Sequence, residues 1–189
     1  VKRLLSIDPG LSTGVALGEY GPEKPYTLLS AVQIEDGLSG FLEWVRGPCR
    51  VIEDRYPDLL VVAEKFTPIN HSDYALTTES VEPLRIEGAM VALGLMPDTP
   101  DERWRRPAEM YFVGGADLAD KKKRAHALLK DVGMRVTGKM VGCRDANDVR
   151  SAILHGIAYV MKVEKHRPTW ELVSNWKGGD DGGQPHNTM

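Results

Sequence analysis

The chain has 189 residues, 42% hydrophobic and 27% charged, with a net charge of −3 at neutral pH. That length and composition fit one ordinary globular domain with a sizeable core, and no apolar run reaches the ~20 residues a membrane-spanning helix needs. Two cysteines, Cys49 and Cys143, lie far apart in no ligand-like spacing, which argues against zinc or a disulfide framework.

Residues 3–8 (RLLSID) form a short apolar run stopped by Pro9-Gly10, the pattern of a strand ending in a tight turn. Residues 13–19 and 26–34 read as two more strands, and three strands with short links predict an antiparallel meander. Asp36-Gly37 opens a helix over 38–55, with Leu38, Phe41, Leu42, Val45, Cys49 and Ile52 at helical spacing and Pro48 as the place for a kink. Residues 59–63 (LLVVA) are continuously apolar, which marks a strand covered on both faces, and Glu64 follows directly. A loop over 67–76 leads to a helix over 77–95. The proline-punctuated stretch 97–107 is expected on the surface. Then come a short strand at 109–113, a basic helix over 117–131, an irregular stretch at 134–144 and a final helix over 146–164. The Gly-rich tail from Gly178 is expected to be disordered. The order β-β-β-α-β-α-β-α-α predicts a mixed sheet with helices on its faces. The domain is expected to span 1–170, with 171–189 as a C-terminal extension. The apolar stretch before Asp8 is too short for a secretory signal, so a cytoplasmic protein is expected.

Four acids stand out. Asp8 closes the first strand on one face with Leu4 and Ser6, and Glu64 closes the apolar strand 59–63. If those strands are parallel neighbours, the two carboxylates meet. Asp145 and Asp148 are three apart at the start of the last helix, so they share a side of it. The stripe Val149, Ala152, Ile153, Gly156, Ile157 and Val160 turns that side's border towards the sheet. Converging carboxylates repel unless a cation neutralises them, and oxygen ligands select Mg²⁺ or Mn²⁺. Each element also has a plainer reading. Asp8-Pro9-Gly10 is a common turn, Glu64 suits a strand end, and Asp145 and Asp148 suit a helix N-terminus. The combination carries the metal reading.

Charge is unevenly placed. Residues 1–100 carry 8 Lys/Arg against 15 Asp/Glu, and residues 101–170 carry 15 against 9. A basic surface beside an acidic cluster suits phosphate binding next to a metal site, although uneven charge on a solvated surface is common. Lys121, Lys122, Lys123 and Arg124, with Arg144 and Arg150, are the candidate backbone contacts. The run Lys121–Arg124 at a helix start opposes the helix dipole. Arg103, Trp104, Arg105 and Arg106 offer a second contact or an ordinary surface loop. His71, His126 and His155 have no ligand spacing and read as structural; His155 falls seven residues after Asp148 on the same helix side, which leaves a role supporting the metal ligands open to it.

These motifs resemble those of the RuvC-type Holliday junction resolvases of the RNase H-like superfamily. The segment 5–16 (LSIDPGLSTGVA) looks like their opening hairpin, 61–66 (VVAEKF) like the strand with their second carboxylate, and 145–152 (DANDVRSA) like their final-helix motif. The segment 115–122 (GADLADKK) is similar to a glycine-containing turn into a helix with a lysine near its start. The resemblance implies an RNase H-like α/β fold, a mixed five-stranded sheet with helices on both faces. It also implies an endonuclease using two Mg²⁺ ions, for which Mn²⁺ substitutes, on branched DNA as a homodimer. By the same resemblance Asp8, Glu64, Asp145 and Asp148 hold metal, Lys121 or its neighbour Lys122 meets the reacting phosphate, and Phe66 wedges into DNA. The insert Pro97–Pro107 and the acidic overall balance depart from the family and leave the branched substrate open between four-way junctions, flaps, forks and RNA–DNA hybrids. A non-catalytic DNA-binding module of the same fold is a further alternative.

Overall fold

The structure is a computed structural model that describes residues 1–64, 78–95 and 118–176, with the backbone alone at 78–80 and 118–121. Three strands, β1 (Lys2–Asp8), β2 (Thr13–Gly21) and β3 (Lys24–Ile34), form the expected antiparallel meander, and β4 (Leu60–Ala63) lies parallel to β1. The order among the described residues is β3-β2-β1-β4, a mixed sheet. The fifth strand expected at 109–113 lies outside the described residues, as do the loops at 67–76 and 97–107.

Strand parity sorts the core into two layers. Leu4, Ala16, Tyr20, Tyr26 and Val62 face one way, onto α4 (Leu118–Asp131), α5 (Asn147–Lys162) and α6 (Arg167–Ser174). Leu5, Ile7, Val15, Leu17, Val61 and Ala63 face the other way, onto α1 (Gly37–Trp44) and α3 (Thr78–Ala92). Successive side chains of a strand alternate between faces, so one sheet supplies two hydrophobic interfaces.

The helix expected over 38–55 is three pieces: α1, a π-helical turn at Val45–Cys49, and α2 (Arg50–Arg55). Pro48 sits in the π turn. Proline has no N–H to donate, and the wider turn accommodates the lost bond within a continuing helix. No side chain of its own caps α1, whose N-cap Asp36 is left-handed. Glu82 of α3 does so from outside, accepting the Leu38 N–H at 2.5 Å while paired with Arg85 at 3.0 Å. A buried carboxylate at a helix N-terminus satisfies free N–H groups and meets the positive end of the dipole.

One helix goes beyond the sequence expectation. After α5, the expected last helix, comes α6, started by Pro168 in its first turn. It is anchored to the β2–β3 hairpin, since the Tyr26 N–H donates to the buried Thr169 Oγ1 at 2.8 Å and the His166 ring bridges Thr169 Oγ1 and the Gly21 carbonyl. These polar anchors work alongside apolar packing, since Val173 is buried in the same core and Leu172 and Trp176 pack against it.

Two glycines let α5 lie on the sheet. A Cβ on Gly14 would come within 2.1 Å of the Asp148 carbonyl group, and one on Gly156 within 3.0 Å of Ser6 Oγ and 2.8 Å of the Tyr26 hydroxyl. The N-terminus of α5 is thereby pressed onto β2 opposite Asp8, the register partner of Gly14.

Candidate metal centre

The parallel register pairs Leu4 with Leu60 and Ser6 with Val62. Two residues further on come Asp8 and Glu64, on the same face as those pairs. The Glu64 N–H continues the ladder, donating to the Ile7 carbonyl at 2.9 Å. Sheet geometry alone therefore sets the two acids side by side, on the face that α5 covers. The oxygen ligands of Asp8 and Glu64 and a ring nitrogen of His155 all lie within 4.8 Å of one another.

His155 contributes a short contact, Nε2 to Glu64 Oε2 at 2.6 Å. Its ring is almost wholly buried, with 2% of the side chain exposed against 21% for Glu64. Burial pushes the Glu64 carboxyl up, but the His155 hydrogen bond and attraction, the hydrogen bond with Asp8 and the charge of Lys122 outweigh it and hold Glu64 below its ordinary 4.5. A divalent cation would stand between the two carboxylates in place of this contact.

The helix-borne acids are arranged differently. Burial pushes the Asp148 carboxyl up from 3.8; a hydrogen bond with Ser12 and the charge of Lys122 oppose this, while Asp145 and Glu35 reinforce it. Ser12 in turn accepts from Gln33 Nε2 at 2.6 Å, and Gln33 also reaches Glu35 at 3.1 Å. Asp148 thus sits in an acidic neighbourhood at the same sheet edge, tied to the turn after β1. Asp145 faces outward, 58% exposed, 3.8 Å from Arg150 and hydrogen-bonded by Asn147. The fold brings Asp8 and Glu64 together with a histidine. It places Asp148 nearby on a separate hydrogen bond and turns Asp145 to the surface.

Among the expected DNA contacts, Lys122 and Lys123 are exposed and Arg124 is half-buried. Lys122 acts on both Glu64 and Asp148 through its charge, so it is the lysine placed at the site. The side chain of Lys121 lies outside the described residues, as do Phe66 and the Arg103–Arg106 stretch. Arg144 is exposed. Arg150 is engaged inside the fold, where Nε and Nη2 donate to the Val136 carbonyl at 3.2 and 3.1 Å and Nη1 donates to Asn147 at 3.1 Å.

Sequence reasoning reads His155 first as structural and only second as a support for the metal ligands. Its one signal is the offset of seven from Asp148, two turns along the same side of α5. Glu35 gives no signal at all, because its place beside Asp148 depends on how β3 pairs with β2.

The donor set suits a hard divalent cation, with two adjacent carboxylates, a third acid in reach and one nearby ammonium charge. Fold and site together define an α/β domain whose mixed sheet carries acids at the ends of two adjacent parallel strands. No protein-family model matches the chain, and no curated protein matches it. Among solved structures it is similar to Thermus thermophilus RuvC, at 11% identity and a TM-score of 0.47 over 88% of this chain and 99% of that one. It is also similar to T. thermophilus RuvC in complex with a Holliday junction substrate, at 15% identity and a TM-score of 0.46 over 86% and 96%. Among the described residues, no helix is long and apolar enough to cross a membrane.

Proposed function

We propose that this chain is a metal-dependent endonuclease for branched DNA, with four-way junctions as its substrate and Mg²⁺ as its cofactor. The observation that carries the reading is the meeting of Asp8, Glu64 and His155 within 4.8 Å at the ends of two adjacent parallel strands. Carboxylates crowded this closely, with Asp148 next to them, are costly for a protein that binds phosphate unless a cation stands between acid and substrate.

In this reading Asp8 and Glu64 hold the cations, Asp148 joins them from α5, and Asp145 completes the set by turning inward from its contact with Arg150. A pair of divalent ions here would activate the attacking water and neutralise the leaving oxygen of the scissile phosphodiester. Lys122 adds fixed positive charge beside the carboxylates, where a phosphate gathers negative charge as the bond breaks. Lys123, Arg124 and Arg144 hold the flanking backbone without reading its sequence. Two such chains would give the paired cuts that a four-way junction requires.

The test is cleavage of four-way, flap, forked and RNA–DNA hybrid substrates of matched length, with Mg²⁺ and with EDTA. Paired nicks in the four-way substrate that vanish with EDTA and in Asp8→Asn are the expected result. Cleavage undiminished in Asp8→Asn would refute the reading, and preference for another substrate would redirect it.

A further inference from the structure

His155 lies outside the set of acids that the proposed chemistry calls for, yet it makes a short, buried contact with one of them. Its Nε2 is 2.6 Å from Glu64 Oε2. Its other nitrogen, Nδ1, is buried with no hydrogen-bond partner among the described residues. The short contact fixes a ring proton on Nε2. A nitrogen this close to an ionised carboxylate oxygen must offer a hydrogen, since two lone pairs would repel. The ring therefore donates from Nε2, and a nitrogen that carries a proton has no lone pair for a metal.

Resting on the proposed function, we infer that His155 is a positioning residue: it donates from Nε2 to Glu64 Oε2 and so fixes the carboxylate of Glu64 for the cation. Glu64 comes directly after β4. Its side chain has three rotatable bonds, and its carboxylate also makes a hydrogen-bond contact with Asp8. The α5 helix, buried from Ser151 to Met161, is the rigid element against which such a chain can be held. Partners of this kind orient the ligand and raise its affinity for metal without touching it.

The experiment is Mn²⁺ binding, by calorimetry and by the Mn²⁺ spin-resonance signal, in the full chain without DNA. Two variants of similar bulk separate the roles. His155→Gln keeps an N–H donor and His155→Leu fills the space without one; thermal unfolding checks that both remain folded. Leu should weaken Mn²⁺ binding by about 10–100-fold, the usual cost of losing such a partner, while Gln stays within about threefold of the parent. Parent-like affinity in the Leu variant overturns the inference, because Glu64 then needs no support. Equal losses in folded Gln and Leu variants also overturn it, because the imidazole is then itself a ligand. Glu64→Gln separates this from the wider reading. If Mn²⁺ affinity survives Glu64→Gln, the site assignment falls and the inference with it; if Glu64→Gln abolishes binding while Leu does not, only the role of His155 falls.

Discussion

Two acids of the site sit at strand ends and two where α5 begins, Asp148 in its first turn and Asp145 just before its N-cap Ala146, and the two pairs are fixed by different means. Asp8 and Glu64 are neighbours because the β1–β4 register makes them so, down to the Glu64 N–H on the Ile7 carbonyl. Asp145 and Asp148 depend on where α5 begins and which way each side chain turns; Asp148 bonds Ser12 and Asp145 faces Arg150. A sheet ladder sets backbone position to within a fraction of an ångström, whereas a side chain in a helix's first turn has several rotamers open to it. The strand pair is the invariant part of the centre and the helix pair its adjustable part.

The largest expected effect tests that ranking directly. Asp8→Asn should lower Mg²⁺-dependent nicking by about 1000-fold or more, equivalent to several kcal/mol of lost transition-state stabilisation. Asp145→Asn, at the exposed position, should cost about tenfold or less by the same conversion. Initial nicking rates on one junction at saturating Mg²⁺ measure both. Equal losses would show that Asp145 is fixed as firmly as the strand acids and would erase the distinction.

The next effect concerns what holds the helix pair against the sheet. Gly14→Ala puts a methyl where the Asp148 carbonyl now lies, 2.1 Å away, and backbone cannot yield as a flexible side chain does. Overpacking of this kind costs about 3 kcal/mol, read as a lower urea midpoint with an unchanged slope. Gly88, inside α3 with nothing within 4 Å of the place a methyl group would take, is the control; Gly88→Ala should stabilise by about 0.5–1 kcal/mol. If Gly14→Ala is as well tolerated as the control, α5 does not sit where the site requires it.

The same contrast explains what the sequence made legible. The strand acids can be read early, because an apolar run ending in Asp or Glu states both the element and the face. The four described strands follow from runs and turn residues, and Asp8 with Glu64 from counting by two. The basic helix, Asp148 and its stripe are also visible. What escapes is decided by contacts between distant segments. The π turn answers Pro48 within a helix that periodicity draws as continuous. The polar anchors of α6, His166 and Thr169, give no sign of the β2–β3 hairpin they reach. His155 and Glu35 reach the centre only through α5 packing and β3 pairing.

A smaller effect separates the pairs by acidity. Asp148 is held above its ordinary 3.8 by burial first, then by Asp145 and Glu35. A carboxyl whose proton is held more tightly in the fold than in the unfolded chain costs nothing below 3.8 and destabilises as pH rises past that value, because the unfolded chain ionises first. Glu64 has the opposite sign. Held below 4.5, it stabilises the fold above that value and loses its contribution as pH falls through its lowered range. With EDTA, Asp148→Asn should therefore melt a few degrees higher than the parent at pH 7, with the gap closing towards pH 3.8, while Glu64→Gln should melt lower at pH 7. Melting curves across pH 3.5–7.5 check both, and a gain in stability from Glu64→Gln at pH 7 would reverse the assignment.

The smallest effect distinguishes cations aimed at the site from those used within the fold. Lys122 is exposed and its charge reaches both a strand acid and a helix acid, whereas Arg150 gives most of its donors to the Val136 carbonyl and Asn147. A cation that meets a DNA phosphate releases condensed counterions, so its removal lowers the dependence of log affinity on log salt by about 0.9 per contact on duplex arms. Lys122→Ala should show that decrement in junction-binding titrations with Ca²⁺ replacing Mg²⁺. Arg150→Ala should leave the slope unchanged and lower the melting temperature instead, because the segment carrying Val136 loses its tie to α5. A slope that falls in Arg150→Ala and not in Lys122→Ala would place the DNA against the far side of α5, away from the carboxylates.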